Sequence, residues 1–343
     1  MKIKILVTGG CGYIASHTIV DLIQNGFEVV SADSHVRSNQ DALAGIEQIT
    51  GVKIQHHAID LCDALATAQL FAQHPDIKGI VHFAALKSVP ESVQNPLWYY
   101  QNNLGCLLNV LIEMGKHQIP YFIFSSSCSV YGNTTALPVV ETTPFGEAES
   151  PYARTKQMGE QMVRDASRSQ PQLKSILLRY FNPAGAHPSL ALGEIPQAGA
   201  YNMVPLLTET GIGLRQNFTV FGSDYPTRDG SCVRDYIYIM DLANAHTRCL
   251  QYLVQEAENA PACDSFNVGI GQGVTVLEAI KAFEKAANLQ LPYQIGARRA
   301  GDVAAIYANY EKAAALLGWH PQHGIEDIMR TAWAWQLKRS GKK

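Results

Sequence analysis

The first 180 residues alternate short apolar runs with helical stretches, and this alternation limits the fold more than any other feature of the sequence. The apolar runs are rich in β-branched and aromatic residues, which favour strands. Helical stretches between them include residues 16–26 and 99–117. This spacing predicts a parallel sheet covered by helices on both faces. The predicted strands are residues 3–9, 28–33, 53–60, 79–85, 121–127 and 174–182.

The amino-acid composition of the sequence changes after residue 182. Residues 183–235 are rich in Gly, Pro, Asn and Asp, which predicts long loops with short elements. A buried strand returns at residues 265–271. We therefore predict an α/β chain with a Rossmann-type doubly wound parallel sheet and a smaller mixed α/β lobe. Later predicted helices are residues 275–288, 309–317 and 324–337.

Composition narrows the class of protein. The net charge is −3 and charged residues make up 17% of the chain, so nothing predicts a nucleic-acid surface or a polybasic membrane face. No apolar run approaches the ~18 residues that span a bilayer, and the first ten residues indicate a strand and turn rather than a signal peptide. The seven cysteines are scattered without a Cys-x-x-Cys pair. We expect a reducing cytoplasm, no metal site and no nucleic-acid or membrane partner.

The segment VTGGCGYIASHT, residues 7–18, lies between the first predicted strand and the first predicted helix. In that context Gly9 permits a tight turn, and Gly12 lets the backbone approach a pyrophosphate that the helix N-terminus attracts. Ala15 fills the third glycine slot, where a methyl group could push the helix outward. The alternative is a glycine-rich turn without a ligand, but the context favours dinucleotide binding.

Two carboxylates end the next predicted strands. Asp33 ends the second strand, about 20 residues beyond the glycines, where a carboxylate can accept both ribose hydroxyls of an adenosine. It would repel a 2′-phosphate, which favours NAD over NADP, although Arg37 could instead reach such a phosphate. Asp60 ends the third strand and has two interpretations: it accepts a hydrogen bond from the adenine amino group, or it caps a helix.

The segment SPYARTK predicts a helix with Ser150 as the N-cap and Pro151 at the first helical position, which continues to Ala166. Tyr152 and Lys156 then share one helix face. One interpretation is a solvated surface on which Lys156 pairs with Glu160. The other is chemistry, because a lysine beside a tyrosine can favour the phenolate.

The strand-end segment FSSSCSVYG, residues 124–132, favours the chemical interpretation. Ligands of open α/β sheets bind at the carboxyl ends of strands, where Ser127 can meet Tyr152 and Lys156. Oxidising an alcohol needs a base that takes the hydroxyl proton while hydride leaves carbon. A tyrosine pKa near 10 is too high for this task at neutral pH, so we expect Lys156 and a positive nicotinamide to lower it by about 3. Ser127 would hold the same substrate oxygen.

Nine segments between residue 8 and about 336 carry a family resemblance. On them the chain resembles the extended short-chain dehydrogenases/reductases, and within these the UDP-glucose (UDP-galactose) 4-epimerases. Two segments, SSSCSVYG and RDGSCVRDYI, are specific to that branch. The nine are TGGCGYIASHT, HFAALKSVPESV, YYQNNLG, FSSSCSVYG, SPYARTK, LRYFNPAGAHP, DYPTRDGSCVRDYIYIMDLA, NVGIGQGVTVLE and ARRAGD.

The resemblance implies that Tyr152 is the base, that Lys156 tunes it and holds the nicotinamide ribose, and that Ser127 binds the 4-hydroxyl. It also implies further residues around NAD. Together with those reasoned above, the expected cofactor-binding residues are Gly9, Gly12, Tyr13, Ile14, Asp33, Asp60, Leu61, Phe83, Ala84, Lys87, Asn103, Tyr152, Lys156 and Tyr180.

The same resemblance implies a UDP-sugar site. Arg234 and Arg299 would grip the diphosphate, although surface ion pairs with Asp235 or Asp302 would explain them equally in physical terms. Loop asparagines often only cap turns, which is the alternative for Asn182 and Asn202. The expected substrate-binding residues are Ser127, Asn182, Asn202, Met203, Phe221, Arg234, Arg299, Asp302 and Ile306.

The implied reaction interconverts UDP-galactose and UDP-glucose through transient oxidation at C4 by tightly bound NAD, with a 4-keto intermediate. The resemblance implies that members with a large residue at the position of Ile306 exclude N-acetylated sugars and that members with a smaller residue admit them. Isoleucine is intermediate in size, so UDP-N-acetylhexosamine stays an alternative substrate. A UDP-glucuronate 4-epimerase is a second alternative. A dehydratase would need an acid beside Ser127, where Cys128 and Ser129 follow, and a non-catalytic sugar-nucleotide sensor would not need Tyr152.

The resemblance also implies how the chain is organised. An NAD-binding domain would comprise residues 1–179 plus about 235–271, and a UDP-sugar-binding lobe would comprise about 180–234 plus 272–343. Family members usually form homodimers through two helices, here about 99–116 and 152–166. The apolar residues of the first helix could equally form an intramolecular core; they are Leu104, Leu107, Leu108, Val110 and Leu111.

Overall fold

The computed structural model describes residues 2–196, 202–256, 258–299 and 302–342; Ala300 and Gly301 of the ARRAGD segment lie outside these ranges. In the described residues the strands, in chain order, are β1 Lys4–Thr8, β2 Glu28–Asp33, β3 Gln55–Ala58, β4 Ile77–His82, β5 Tyr121–Ser127, β6 Lys174–Tyr180, β7 Asn182–Ala184, β8 Phe218–Phe221, β9 Val233–Arg234, β10 Tyr236–Tyr238, β11 Cys263–Val268, β12 Val274–Thr275, β13 Tyr293–Gly296 and β14 Ala305–Ile306.

The helices of the same described ranges, in chain order, are α1 Tyr13–Gln24, α2 Asp41–Thr50, α3 Ala64–Gln73, α4 Val89–Gln94, α5 Pro96–His117, α6 Pro151–Ser169, α7 Met203–Gly211, α8 Ile239–Gln255, α9 Val276–Ala287, α10 Glu311–Leu317 and α11 Ile325–Arg339. A 3₁₀ turn, Cys128–Tyr131, follows β5. Among the described residues, no helix combines the length and the apolar character that crossing a membrane requires.

A parallel sheet with the strand order β11-β6-β5-β4-β1-β2-β3 forms the centre of the described structure, which confirms the predicted doubly wound α/β fold. The chain winds from β1 towards β3 on one side and from β4 towards β11 on the other. The order therefore reverses between β1 and β4, whose last residues Thr8 and His82 are register partners. Ligands of such sheets bind beyond the carboxyl ends of the strands at this reversal.

Helices cover both faces of the sheet because its strands other than the edge strand β3 are largely buried on both sides. One core contains Ile19 of α1, Leu250 of α8 and Trp319 beyond α10. On the opposite face, Leu107 of α5 and Val163 of α6 pack into a second core. The smaller strand pairs and helices α7, α9 and α11 enclose a third core. The proposed division into two domains stays a prediction.

The apolar residues of helix α5 lie on two sides of the helix, one buried and one exposed. Leu107, Val110 and Leu111 are buried, as the interpretation of an intramolecular core requires. Leu108 and Ile112 lie on the outside with 49% and 45% of their surface exposed. The apolar residues of this helix therefore serve the core and also leave an exposed apolar strip.

Local sequence signals fixed several element boundaries. The strands predicted at 28–33 and 121–127 are confirmed to the residue. The third predicted strand is shorter than 53–60, because only residues 55–58 pair with β2. Ser150 is the N-cap of α6, and its hydroxyl accepts a hydrogen bond from the Ala153 N–H at 3.2 Å.

Candidate active site

The glycine turn after β1 brings its backbone against the end of β4. Gly9 has φ +67°, and a Cβ atom there would lie 2.9 Å from the Ala84 nitrogen, so both conformation and space call for glycine. Gly12 is the N-cap of α1 and has no side chain to cap the first turn, which leaves that helix end to other acceptors. Ala15 is buried in the first core, so its methyl group fits between helix and sheet. Tyr13 and Ile14 open the same helix, and the Tyr13 hydroxyl donates to the Gly185 carbonyl oxygen at 2.6 Å.

Asp33 is a buried carboxylate held in a fixed orientation. Its Oδ2 accepts a hydrogen bond from the Cys11 N–H at 3.0 Å, and its Oδ1 accepts from the His35 N–H at 2.9 Å. Arg37, which could serve a 2′-phosphate instead, is ion-paired with Glu91 and stacks on a tryptophan ring. The position at the end of β2 suits a ribose hydroxyl acceptor.

The capping interpretation of Asp60 is wrong. Asp63 is the N-cap of α3 and accepts hydrogen bonds from the first turn of that helix. The exposed Asp60 carboxylate instead accepts a hydrogen bond from the Cys62 N–H at 2.9 Å. Leu61 beside it is buried in the second core.

Ser127, Tyr152 and Lys156 lie around the end of β5. Ser127 ends the strand, and its hydroxyl interacts with the Tyr152 phenol. The Lys156 Nζ donates to the Ser125 carbonyl oxygen at 2.7 Å and is almost completely buried. The alternative interpretation, a solvated surface on which Lys156 pairs with Glu160, is therefore wrong, because Glu160 is itself buried and pairs with Arg179 at 2.7 Å.

Burial has the largest effect on the pKa values of Tyr152 and Lys156. It raises the pKa of Tyr152 to about 12, and the hydrogen bond with Ser127 offsets this only in part. It lowers the pKa of Lys156 to about 8. The expected lowering of the Tyr152 pKa by Lys156 is thus not a property of the protein alone, because desolvation of the phenol outweighs an ammonium 5.8 Å from its ring centre.

Asn103 fixes the loop that follows β4. This buried amide accepts from the Leu86 N–H at 2.8 Å and donates to the Leu86 carbonyl oxygen at 3.0 Å. It also donates to Thr155 of α6 at 3.1 Å, which ties the loop to the helix of Tyr152. Phe83 and Ala84 begin this loop, and the Phe83 ring packs 4.7 Å from the His246 ring. Lys87 lies at its exposed end.

Glu194 is a residue that the sequence analysis missed. Its carboxylate accepts from the Asn202 amide at 2.6 Å and lies 3.5 Å from the Lys87 Nζ. It thereby joins a predicted substrate residue to a predicted cofactor residue. No local motif marks Glu194, because only the fold brings these loops together.

Tyr180, Asn182 and Met203, three further predicted binding residues, lie on neighbouring elements. The Tyr180 hydroxyl is hydrogen-bonded to the Ser125 hydroxyl, and burial raises the pKa of Tyr180 well above its usual value. The Asn182 N–H donates to the Asp235 carbonyl oxygen at 2.9 Å. Met203 accepts a hydrogen bond from a tyrosine hydroxyl through its sulfur.

Two arginines share one carboxylate. Arg299 donates two hydrogen bonds to Asp302, at 2.8 and 3.1 Å, and the nearest nitrogen of Arg234 is 3.4 Å from it. Asp235 is not their partner, because it is fully buried and accepts three backbone N–H groups, at Ile270, Gly271 and Ala308. The Arg299 guanidinium also stands 5.5 Å from the half-exposed Phe221 ring. These cations therefore converge on one point that an anion could share.

Ile306 lies beside this arginine pair. Ile306 lies in β14 and is the register partner of Arg234 in β9. It is buried in a small core with Tyr131 and Phe181. Its side chain therefore belongs to the packed wall of the site rather than to an open surface.

Comparisons with known proteins show which family the chain resembles. The model of the GDP-mannose 4,6 dehydratase family matches residues 6–332. A UDP-glucose 4-epimerase of Erwinia amylovora is 43% identical over 333 residues, covering 97% of each protein. A UDP-glucose 4-epimerase from Stenotrophomonas maltophila, solved with bound NAD and formylated UDP-arabinopyranose, has a TM-score of 0.94 and 40% identity over 99% of each chain. One from Bifidobacterium longum, in complex with NAD⁺ and UDP, has a TM-score of 0.93 and 41% identity over 99% of this chain and 100% of that one.

Proposed function

The chain belongs to the UDP-glucose 4-epimerase family of extended short-chain dehydrogenases/reductases, and on that basis we propose that it interconverts UDP-galactose and UDP-glucose. The observation that carries the proposal is the meeting of Ser127, Tyr152 and Lys156 at the carboxyl end of β5, beside the strand-order reversal. A binding protein would not need a buried phenol, a hydroxyl and a buried ammonium at that point.

The described residues fit NAD. Gly9 permits the tight turn, Gly12 places no side chain over the N-terminus of α1 where a pyrophosphate would bind, and the oriented Asp33 carboxylate suits an adenosine ribose. Lys156 would hold the nicotinamide ribose, and Asn103 would position the loop of Phe83 and Ala84 beside it. When bound, NAD supplies a hydride acceptor for sugar C4, returns the hydride to the opposite face, and places a positive ring where it favours the Tyr152 phenolate.

Tyr152 takes the proton from the sugar 4-hydroxyl as the C–H electrons leave C4, so the alcohol becomes a ketone. Ser127 donates a hydrogen bond to the same oxygen and keeps it in reach of the phenolate. After the keto sugar has turned, Tyr152 gives the proton back to the oxygen. The Lys156 ammonium stabilises the phenolate through space, because its hydrogen bond goes to Ser125.

The reaction requires firm binding of the nucleotide and loose binding of the sugar. Arg234 and Arg299 would exchange their pair with Asp302 for the diphosphate, and Asp302 would then be available to the uridine ribose. Phe221, half-exposed beside Arg299, would pack against uracil, while Asn202 and Met203 would contact the nucleotide. Tyr180 and Asn182 would border the sugar.

We propose UDP-glucose and UDP-galactose as the main substrates, with UDP-N-acetylhexosamines as secondary ones. The packing of Ile306 against Tyr131 and Phe181 in the wall of the site supports a sugar pocket of fixed width. A coupled assay comparing UDP-galactose with UDP-N-acetylgalactosamine measures this preference. Dehydration, the reaction named by the matching family model, lacks support because Cys128 and Ser129 follow Ser127 in place of an acid.

We further propose that the protein is a homodimer that works in cytoplasmic galactose metabolism. The exposed apolar residues Leu108 and Ile112 on α5, with Met158 on the adjoining α6, support a helical interface. The cysteines, all seven of which are within the described residues, are unpaired there, which supports a reducing compartment.

Activity after gel filtration in buffer without NAD tests the proposed function. We expect the purified protein to convert UDP-galactose without added dinucleotide, because the hydride taken from C4 is returned. Stoichiometric consumption of NAD, or activity that needs an external oxidant, would contradict an epimerase and indicate a net dehydrogenase.

A further inference from the structure

Three metal-ligating side chains outside the proposed reaction converge at one corner of the sheet. The ligand atoms of Cys11, His35 and His56 all lie within 4.8 Å of one another. Cys11 follows β1, His35 follows β2, and His56 lies in β3 as the register partner of Ser31. The adjacent order β1-β2-β3 assembles the cluster, so spacing along the chain gave no sign of it and supported the expectation of no metal site.

The two histidines turn the same nitrogen towards each other. Their Nε2 atoms are 3.0 Å apart, while the Nδ1 of His56 is 3.0 Å from the Ser31 hydroxyl and that of His35 is 3.4 Å from the Ser38 hydroxyl. Two imidazole lone pairs at this distance repel unless a proton or a cation lies between them. Metal-binding histidines have this arrangement, with one ring nitrogen on the ion and the other held by a polar partner.

The charges around the cluster suit a divalent ion. A Cys11 thiolate and two neutral imidazoles leave a dication with one positive charge. The Asp33 carboxylate borders both loops, because it accepts the backbone N–H groups of Cys11 and His35. It therefore balances the remaining charge at close range.

We propose that Cys11, His35 and His56 bind one zinc-class ion through Sγ and the two Nε2 atoms. A thiolate with two imidazoles selects Zn²⁺ and its substitutes Co²⁺ and Cd²⁺ over hard cations such as Mg²⁺. Tetrahedral zinc, with bonds of about 2.0–2.3 Å, needs ligand atoms roughly 3.3–3.7 Å apart, so small side-chain rotations complete the site. Binding releases the thiol proton to solvent, and the ring whose Nε2 carried the shared proton takes it on Nδ1 instead, so that both imidazoles are neutral and present Nε2 to the ion. Water takes the fourth position.

Titration of the chelator-treated full chain with Co²⁺ tests the site. We expect one ion per chain, a thiolate-to-cobalt charge-transfer band in the near ultraviolet, and the strong visible absorption of tetrahedral cobalt. Zn²⁺ should displace the cobalt and bleach both signals. Cys11→Ser should remove the charge-transfer band, and His56→Asn should weaken binding by at least ~10-fold. His35→Asn should also weaken binding by at least ~10-fold, because it removes a ligand. Asparagine is the suitable replacement because it tolerates the φ of +58° at that position.

His57→Asn is the matched control. His57 is the next residue of β3, and its Nε2 lies 2.8 Å from the Nε2 of His74, so it tests whether any histidine pair suffices. We expect unchanged cobalt spectra and affinity in this variant. A charge-transfer band that survives Cys11→Ser, equal weakening by His57→Asn, or the absence of stoichiometric binding in the folded wild type would overturn the proposal. Far-UV circular dichroism of each variant excludes unfolding as the cause of lost binding.

Discussion

The Lys156 ammonium stands 5.8 Å from the centre of the Tyr152 ring and gives its hydrogen bond to the Ser125 carbonyl oxygen. The lysine is therefore fixed by the strand that ends in Ser127. From that position it acts on the phenol by charge rather than by a direct bond. Two residues one helical turn apart thus have distinct physical tasks.

Tyr152→Phe should abolish turnover while it preserves binding. The phenylalanine keeps the ring in its packed position and removes only the group that exchanges the proton. We expect kcat to fall by about 10³-fold or more, because general acid–base groups contribute typically 10²–10⁴-fold. Isothermal titration with UDP should give an affinity within a factor of about two of the wild type.

Tyr121→Phe is the control for this variant, since Tyr121 begins β5 and lies at the strand end opposite to Ser127. It should retain wild-type kcat. A Tyr152→Phe protein with more than a tenth of the wild-type turnover would show that another group carries the proton.

Lys156 should impose a pH dependence on stability. Its pKa of about 8 in the folded chain lies below the value of about 10.5 for an unfolded lysine. Between these values the folded chain holds fewer protons than the unfolded chain, so this contribution to stability rises with pH from about 8 to 10.5. The free energy of unfolding of the wild type, minus that of Lys156→Met, should increase by roughly 2 kcal/mol between pH 7.5 and 9.5.

Urea unfolding at several pH values measures this difference. Lys78→Met, on the exposed side of β4, is the control and should follow the wild-type curve. A constant difference between wild type and Lys156→Met across this range would show that burial does not perturb the ammonium.

Arg299→Met distinguishes a diphosphate ligand from a surface ion pair. Loss of an exposed pair with Asp302 alone should change stability by no more than about 1 kcal/mol and leave kinetics intact. If Arg299 grips the diphosphate, KM for UDP-galactose should rise about 10-fold or more with a smaller change in kcat. Steady-state kinetics gives both values.

The neighbouring Arg298 offers a matched control for this experiment. It is equally exposed, but it pairs with Asp224 and stacks 4.2 Å over the Tyr225 ring. Arg298→Met should leave KM unchanged. Equal rises in KM for both variants would indicate a general effect of positive charge rather than a specific contact.

The sequence predicted what depends on local patterns. The ends of β2 and β5, the N-cap at Ser150 and the glycine turn were readable because strand periodicity, capping and glycine conformation are local properties. The ion-pair partner of a side chain could not be predicted from the sequence where several candidate partners were chemically equivalent. Asp235 and Asp302 look alike in sequence, yet only the complete burial of Asp235 and the partial burial of Asp302 decide which of them meets the arginines.

The charge state of the site also depends on the fold. A Tyr-x-x-x-Lys spacing places both groups on one helix face, but how much each loses in solvation depends on the whole cleft. Burial raises the pKa of Tyr152 and lowers that of Lys156, and these shifts could not be derived from spacing alone. Likewise, the cluster of Cys11, His35 and His56 needs the order of three strands.

Leu108→Glu should disrupt a homodimer if α5 forms its interface. A charge buried against an apolar partner surface costs several kcal/mol, whereas the same side chain in water costs little. Light scattering should report dimer for the wild type and monomer for the variant. Leu65→Glu, on the exposed side of α3, controls for surface charge and should stay dimeric. A wild-type monomer, or a Leu108→Glu dimer, would contradict the proposed interface.

The buried ion pair between α6 and β6 should be the most costly of these sites to break. Glu160 and Arg179 are both almost fully buried and join through two hydrogen bonds, at 2.7 and 2.8 Å, and the Ser126 hydroxyl donates to Glu160 at 2.6 Å. Glu160→Gln leaves the guanidinium buried without its counter-ion, so we expect a loss of about 3–5 kcal/mol in the free energy of unfolding. Asp165→Asn breaks the exposed pair with Arg168 on the same helix and should cost no more than about 1 kcal/mol. Similar unfolding midpoints for the two variants in urea would show that solvent reaches Arg179. A large difference would identify this pair as the anchor that holds the helix of Tyr152 and Lys156 against β5 and β6.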